Sequence, residues 1–138
     1  MDEYQYISKE KISVGVFSTI MQNAGFEVKQ NSEHSIDVIS GGITSILYMH
    51  SEVIVMITPY RIKKEVDIDK LKEKVAELND NFSFCTASIA DNRGHLMIRT
   101  AYLTATGIYI PHFSLTISGF LSLQRAIISK VDLTDFII

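Results

Sequence analysis

Few residues of this chain have the chemistry of a catalytic or metal site. There is one cysteine, Cys85, and there are four histidines, His34, His50, His95 and His112. A nucleophilic thiolate needs a nearby base or positive charge and partial exposure. Cys85 instead lies between Phe84 and Thr86 in an apolar run, which is where a free cysteine serves as a small core residue. No two histidines are spaced HxxxH or HExxH, and there is no CxxC, so a zinc site on Cys85 would need three ligands from separate turns. His50 and His95 read as polar residues at hairpin mouths. Ser8-Lys9-Glu10-Lys11 matches S-x-x-K, but the S-D-N and K-T-G partners of a penicillin-binding site are absent. Gly41-Gly42 lacks the lysine of a phosphate loop and reads as a tight turn. The carboxylate pairs Asp67/Asp69 and Asp132/Asp135 fall at predicted helix ends, where carboxylates stabilise the first turn through capping and the helix dipole. A general acid/base pair would need an enclosing cleft. The expectation is a protein that is not an enzyme, with no catalytic residue, no metal and no cofactor. A cysteine enzyme built on Cys85 ranks last among the readings.

The elements that carry these residues follow from periodicity. Ser8 is placed as the cap of a first helix running to about Asn23, with Ile12, Val16, Phe17, Ile20, Met21 and Ala24 on one face and Gly25 as the left-handed stop. A second helix starts at Asp67, buries Leu71, Val75 and Leu78, and is closed by Asn79 to Asn81. That asparagine-rich segment reads as a helix terminator rather than a ligand patch. Between the helices the period is two. Phe26 to Gln30, Ser35 to Ile39, Ile43 to Met49 and Val53 to Tyr60 are predicted strands joined by tight turns. Ser83 to Ala90 and His95 to Thr104 form a hairpin around Asp91-Asn92-Arg93-Gly94. Phe82, Phe84 and Tyr102 read as cross-strand core pairs. Pro111 opens a third helix with Phe113, Ile117, Phe120, Leu121, Ile127, Ile128 and Val131 as its stripe. The apolar tail from Asp132 to Ile138 is expected to dock on its own chain or on a partner.

The predicted fold class is therefore α+β: an antiparallel sheet of about five to six strands packed with helices, in the order α-β-β-β-β-α-β-β-α, as one domain over residues 1–138. The chain has 138 residues, 46% hydrophobic and 21% charged, enough for a core without disulfide staples. A net charge of −3 argues against nucleic acid, and the one basic cluster, Arg61, Lys63 and Lys64, is followed by Glu65 and Asp67. No apolar run has the length of a membrane span. The opening Met-Asp-Glu-Tyr carries no basic, apolar leader pattern, and a single cysteine fits a reducing compartment, so a cytoplasmic location is expected.

Leu78-Asn79-Asp80-Asn81, then Ala87, then Gly94-His95-Leu96, then Leu103, form a helix end, an apolar strand, a glycine turn and a second apolar strand. With the order of elements from Lys9 to Val131, this pattern resembles the YbjN-domain family, described as bacterial sensory transduction regulators and similar in structure to class I type III secretion chaperones. The resemblance implies a type III secretion chaperone-like α/β sandwich, often dimeric, that acts through protein contacts and has no catalytic residues to carry over. The third helix departs from the family pattern in having fewer acidic residues and an apolar tail.

A binding role is then expected to lie in surface, not in a pocket. Val53-Ile54-Val55-Met56-Ile57 is apolar on both sides, which fits a central strand covered on both sides, or one covered on one side and paired with a partner on the other. Val53, Val55 and Ile57, with Tyr48, Tyr60 and Tyr109 near strand ends and Phe136 and Ile137 in the tail, are the candidate partner-binding residues. A protein or peptide partner and a homodimer are expected, and no nucleic acid or membrane. The main reading is a chaperone-like or regulatory adaptor. The alternative is a small-molecule sensor with a pocket between sheet and helices.

Overall fold

The period-two segments pair into one sheet in a computed structural model that describes residues 5–91 and 94–138. Its strands are β2 (Glu27–Gln30), β3 (Ser35–Ser40), β4 (Ile43–His50), β5 (Val53–Arg61), β6 (Thr86–Ile89) and β7 (His95–Leu103), in the order β2-β3-β4-β5-β7-β6. The sheet is antiparallel, with helices α1 (Val14–Asn23), α2 (Ile68–Asn81) and α3 (Ile110–Lys130), so the fold is α+β as expected. The chain adds β1 (Tyr6–Ile7) and β8 (Ile108–Tyr109), which pair with each other in a separate sheet. Strands of two residues carry no periodic signal, so sequence reading passes over them.

Several boundaries shift by one residue, and three element ends differ from expectation for a local reason. The first helix starts at Val14, not after Ser8. Lys9–Lys11 form a short 3₁₀ turn, Ile12 is extended, and Ser13 supplies the cap, its Oγ accepting from the Val16 amide at 3.2 Å. The second helix runs through Asn81 without any left-handed asparagine, and only Ser51 and Asp132 among the described non-glycine residues have positive φ. Strand β6 begins at Thr86 instead of Ser83, because the Thr100 hydroxyl donates to the Phe84 carbonyl at 2.9 Å where a ladder bond would continue. Of the hairpin turn from Asp91 to Gly94, Asn92 and Arg93 lie outside the described residues. The Ala90 amide donates to the His95 carbonyl at 2.9 Å across its mouth.

The chain groups into two compact units, residues 1–56 with 101–119, and residues 57–100 with 120–138, so that β5, β7 and α3 each contribute to both. In the first unit, Gly25 (φ 94°) turns the chain away after α1, with the Phe26 amide donating to the Met21 carbonyl at 3.0 Å. Its core holds Phe17, Met21, Ile36, Val38, Leu47, Ile54 and Met56 with Phe113. Phe113 is flanked by Phe17 at 5.6 Å and, edge-on, by Tyr102 at 5.1 Å between ring centres. Tyr102 thus packs on α3, where it also bonds His112 at 3.2 Å, and not on a cross-strand aromatic. Gly107 (φ 94°) lets the chain pass β1, since a Cβ there would come within 2.5 Å of the Ile7 carbonyl oxygen.

In the second unit, Leu71 and Leu78 of α2, Ala87, Leu96 and Ile98 of the sheet, and Phe120, Ile127 and Ile128 of α3 are buried. The tail docks within this unit. The Lys63 amide donates to the Phe136 carbonyl, the Ile138 amide to the Arg61 carbonyl, both at 2.9 Å, and Ile62 bridges Ile137.

Candidate interaction surface

Alternation along β3, β4 and β5 sorts the first unit's side chains onto two faces. On one face Ile36 stands opposite Leu47 and Val38 opposite Ser45, all fully buried, and Ile54 and Met56 join them. On the other face Asp37 is opposite Ile46, Ile39 opposite Thr44, and Ser35 opposite Tyr48, with Val53 and Val55 in the same phase of β5. Of these, Thr44 is exposed and the others are half-buried. Ile39, Ile46, Tyr48, Val53 and Val55 thus give an apolar row on the less covered face. An antiparallel sheet normally turns polar residues to such a face. Asp37 stands among them, opposite Ile46 and next to Ile39 along that face of β3, and is hydrogen-bonded to the Asn31 amide group. Fully burying a side chain of this kind is worth about 1.5–3 kcal/mol, and a partner covering the row would collect the part still exposed.

The candidate residues therefore divide. Tyr48, Val53 and Val55 share the less covered face of the first unit, together with Ile39 and Ile46, which sequence reading passed over although their phase within β3 and β4 marks them. Ile57, in the second unit, has the same phase on β5 and is half-buried. Tyr60 does not belong with them. It has the opposite phase, and its hydroxyl donates to Oε1 of Gln124 at 2.9 Å. Burial pushes its phenol up to about 12, with Arg125 opposing. Tyr109, 38% exposed, pairs with Tyr6 in the β1–β8 ribbon. Phe136 and Ile137 are half-buried in the docked tail.

The second unit holds an open groove of about 230 Å³ lined by Phe82, Phe84, Leu123, Ala126, Ile127 and Lys130. Phe84 is 41% exposed there, which corrects its expected place in a core pair. Phe82 is half-buried and lies 5.9 Å from the Lys130 ammonium. The first unit has an open groove of about 520 Å³ along α1, lined in part by Ile7, Val16, Thr19 and Ile110.

Cys85 is 5% exposed, and burial raises its thiol pKa. Native protein at pH 8 is expected to react with a disulfide reagent at least tenfold more slowly than urea-unfolded protein, because both thiolate fraction and access fall on folding. Equal rates would remove Cys85 from the core. Among the described residues no group of three or more His, Cys, Asp or Glu side chains converges as a metal site requires, and no helix is long and apolar enough to cross a membrane.

Asn79 has a role that its place near a helix end does not reveal. Its side-chain amide faces β6, donating to the Ala87 carbonyl at 2.9 Å and accepting from the Ala87 amide at 2.8 Å. This pair of bonds imitates a neighbouring strand and plugs one end of the sheet.

No family model and no curated protein matches the sequence. Solved structures do match the fold. YbjN from E. coli, proposed to be a transcription regulator, superposes with a TM-score of 0.77 at 8% identity, over 92% of this chain and 96% of that one. A chain of the HopA1–SchA chaperone–effector complex gives 0.59 at 10% identity, over 81% of this chain and 89% of that one. A chain of the complex between the Yersinia pestis type III secretion chaperone SycH and a stable fragment of YscM2 gives 0.53 at 12% identity, over 86% and 96%. Six strands in one antiparallel sheet, three helices and these superpositions together establish a YbjN-like, secretion-chaperone-like fold.

Proposed function

We propose that this protein is a non-enzymatic, cytoplasmic protein-binding module, chaperone-like or adaptor-like, that takes an extended segment of another polypeptide and works as a homodimer. The observation that carries the reading is the apolar row Ile39, Ile46, Tyr48, Val53 and Val55 on the less covered sheet face of the first unit. A flat row of aliphatic and aromatic side chains suits an extended peptide, whose alternate residues can lie on it. Two of the chains that share the fold come from chaperone–effector and chaperone–fragment complexes, which supports a protein as partner.

The test is an array of 15-residue peptides rich in alternating aliphatic and aromatic residues, probed with the wild-type chain and with Val55→Lys. Selective capture of a subset is expected, with affinity about tenfold lower for the variant, the equivalent of ~1.4 kcal/mol. Its urea midpoint should stay close to wild type, since Val55 is on the half-buried face. No capture at any concentration, or capture that Val55→Lys leaves unchanged, would overturn the assignment.

A further inference from the structure

We propose that β2 is the seam of the homodimer: β2 of a second copy pairs antiparallel along it, Val28 against the partner's Val28, with Glu27 of each copy opposite the partner's Lys29. This rests on the dimeric reading above and adds where the copies join.

The ends of the six-stranded sheet differ. At β6 the outward amide and carbonyl of Ala87 are occupied by Asn79. At the other end, among the described residues, β2 has a strand neighbour on one side only. Its register on β3 pairs Glu27 with Ile39, Val28 with Val38, Lys29 with Asp37 and Gln30 with Ile36. The next pair along, Asn31 with Ser35, is hydrogen-bonded, the Asn31 amide donating at 3.1 Å. Hydrogen-bonded and non-bonded pairs alternate in an antiparallel ladder, so Lys29 and Glu27 bond to β3 while Val28 turns its amide and carbonyl away from it. Phe26 has the same parity as Val28, and its amide indeed leaves β3 to reach the Met21 carbonyl. Val28 thus presents one donor and one acceptor outward, the pair that an identical residue related by a two-fold axis exchanges.

Edge charges ordinarily discourage strand addition. Here they select it. Glu27 and Lys29 are exposed, opposite in sign, and two residues apart on the face that Val28 does not share. Centred on Val28, the antiparallel joint matches both charges twice. Sliding it by one hydrogen-bonding step sets Lys29 against the partner's Lys29, and parallel pairing sets like residues alongside each other. Only one self-pairing register is charge-matched. Because each copy contributes few residues, the association is concentration-dependent.

Light scattering on the full chain, with sedimentation as a second measure, tests this. The wild-type mass should rise from 15.5 kDa toward twice that value with concentration. Glu27→Lys and Lys29→Glu should each weaken association about tenfold or more by creating two like-charge pairs. Mixing these two variants in equal amounts should restore the dimer, since the two lysines of one chain then face the two glutamates of the other. Val28→Pro removes the outward donor without touching a β3 bond, and should give a folded monomer by circular dichroism. A wild-type chain that stays at 15.5 kDa at every concentration refutes dimerisation itself. A dimer that survives all three variants places the interface elsewhere and overturns only the seam. Failure of the mixture to recover the dimer overturns the charge pairing that defines the register.

Discussion

Phe113→Ala should lower the unfolding free energy by about 3–5 kcal/mol, with a fall in Tm of roughly 10 °C or more. The ring is fully buried, so its removal costs both transfer energy and a cavity. It is also the shared neighbour of Phe17 and Tyr102. Losing it strips one ring contact from α1 and one from β7, and aromatic pairs contribute beyond their buried area. Total stabilities of small domains are only about 5–15 kcal/mol, so the variant stands close to the limit of folding. Phe113→Leu keeps most of the volume and should recover more than half of the loss. Urea titration of the three proteins decides this, and a Phe113→Ala midpoint within error of wild type would remove Phe113 from the core.

Asn79→Leu should cost about 2–4 kcal/mol, although a leucine is the better helix former at that place in α2. Ala87 is 2% exposed with Asn79 in place, and a leucine there fills the same space without a polar atom to offer its amide and carbonyl. Leaving a buried donor and a buried acceptor unpaired costs about 1–3 kcal/mol each. The replacement also removes the plug from an edge strand, so the variant should aggregate more readily on mild heating. Asn79→Asp separates the two bonds, because a carboxylate still accepts from the Ala87 amide but faces the Ala87 carbonyl without a donor. It should keep hydrogen-exchange protection at Ala87 that Asn79→Leu loses. A stability equal to wild type for Asn79→Leu, or unchanged exchange at Ala87, would contradict the plug.

These two residues show how far the sequence could be read. Phe113 is found from periodicity, since it belongs to a stripe at helical spacing after Pro111. Asn79 is found only as a residue near the end of a helix, because its partner is eight residues away across a change of direction that no local pattern encodes. Phe84 sits in an apolar run like Cys85, yet it is 41% exposed whereas Cys85 is 5% exposed, since the strand starts three residues later than its composition suggests.

By itself the sequence determined the class and order of the main elements and the phase of each strand. Those follow from side-chain period, which is a property of neighbours along the chain. It also determined that β5 is apolar on both sides and that no familiar catalytic spacing is present. Only the tertiary structure decided which side of β5 is fully buried, that Tyr60 turns inward to Gln124 while Tyr48 stays with Val53 and Val55, and that one sheet end is plugged by Asn79 while the other is β2. The physical reason is the same in each case. Burial and edge satisfaction depend on which distant segments meet, and a strand that is apolar on both faces carries no local mark of the face its helices will cover.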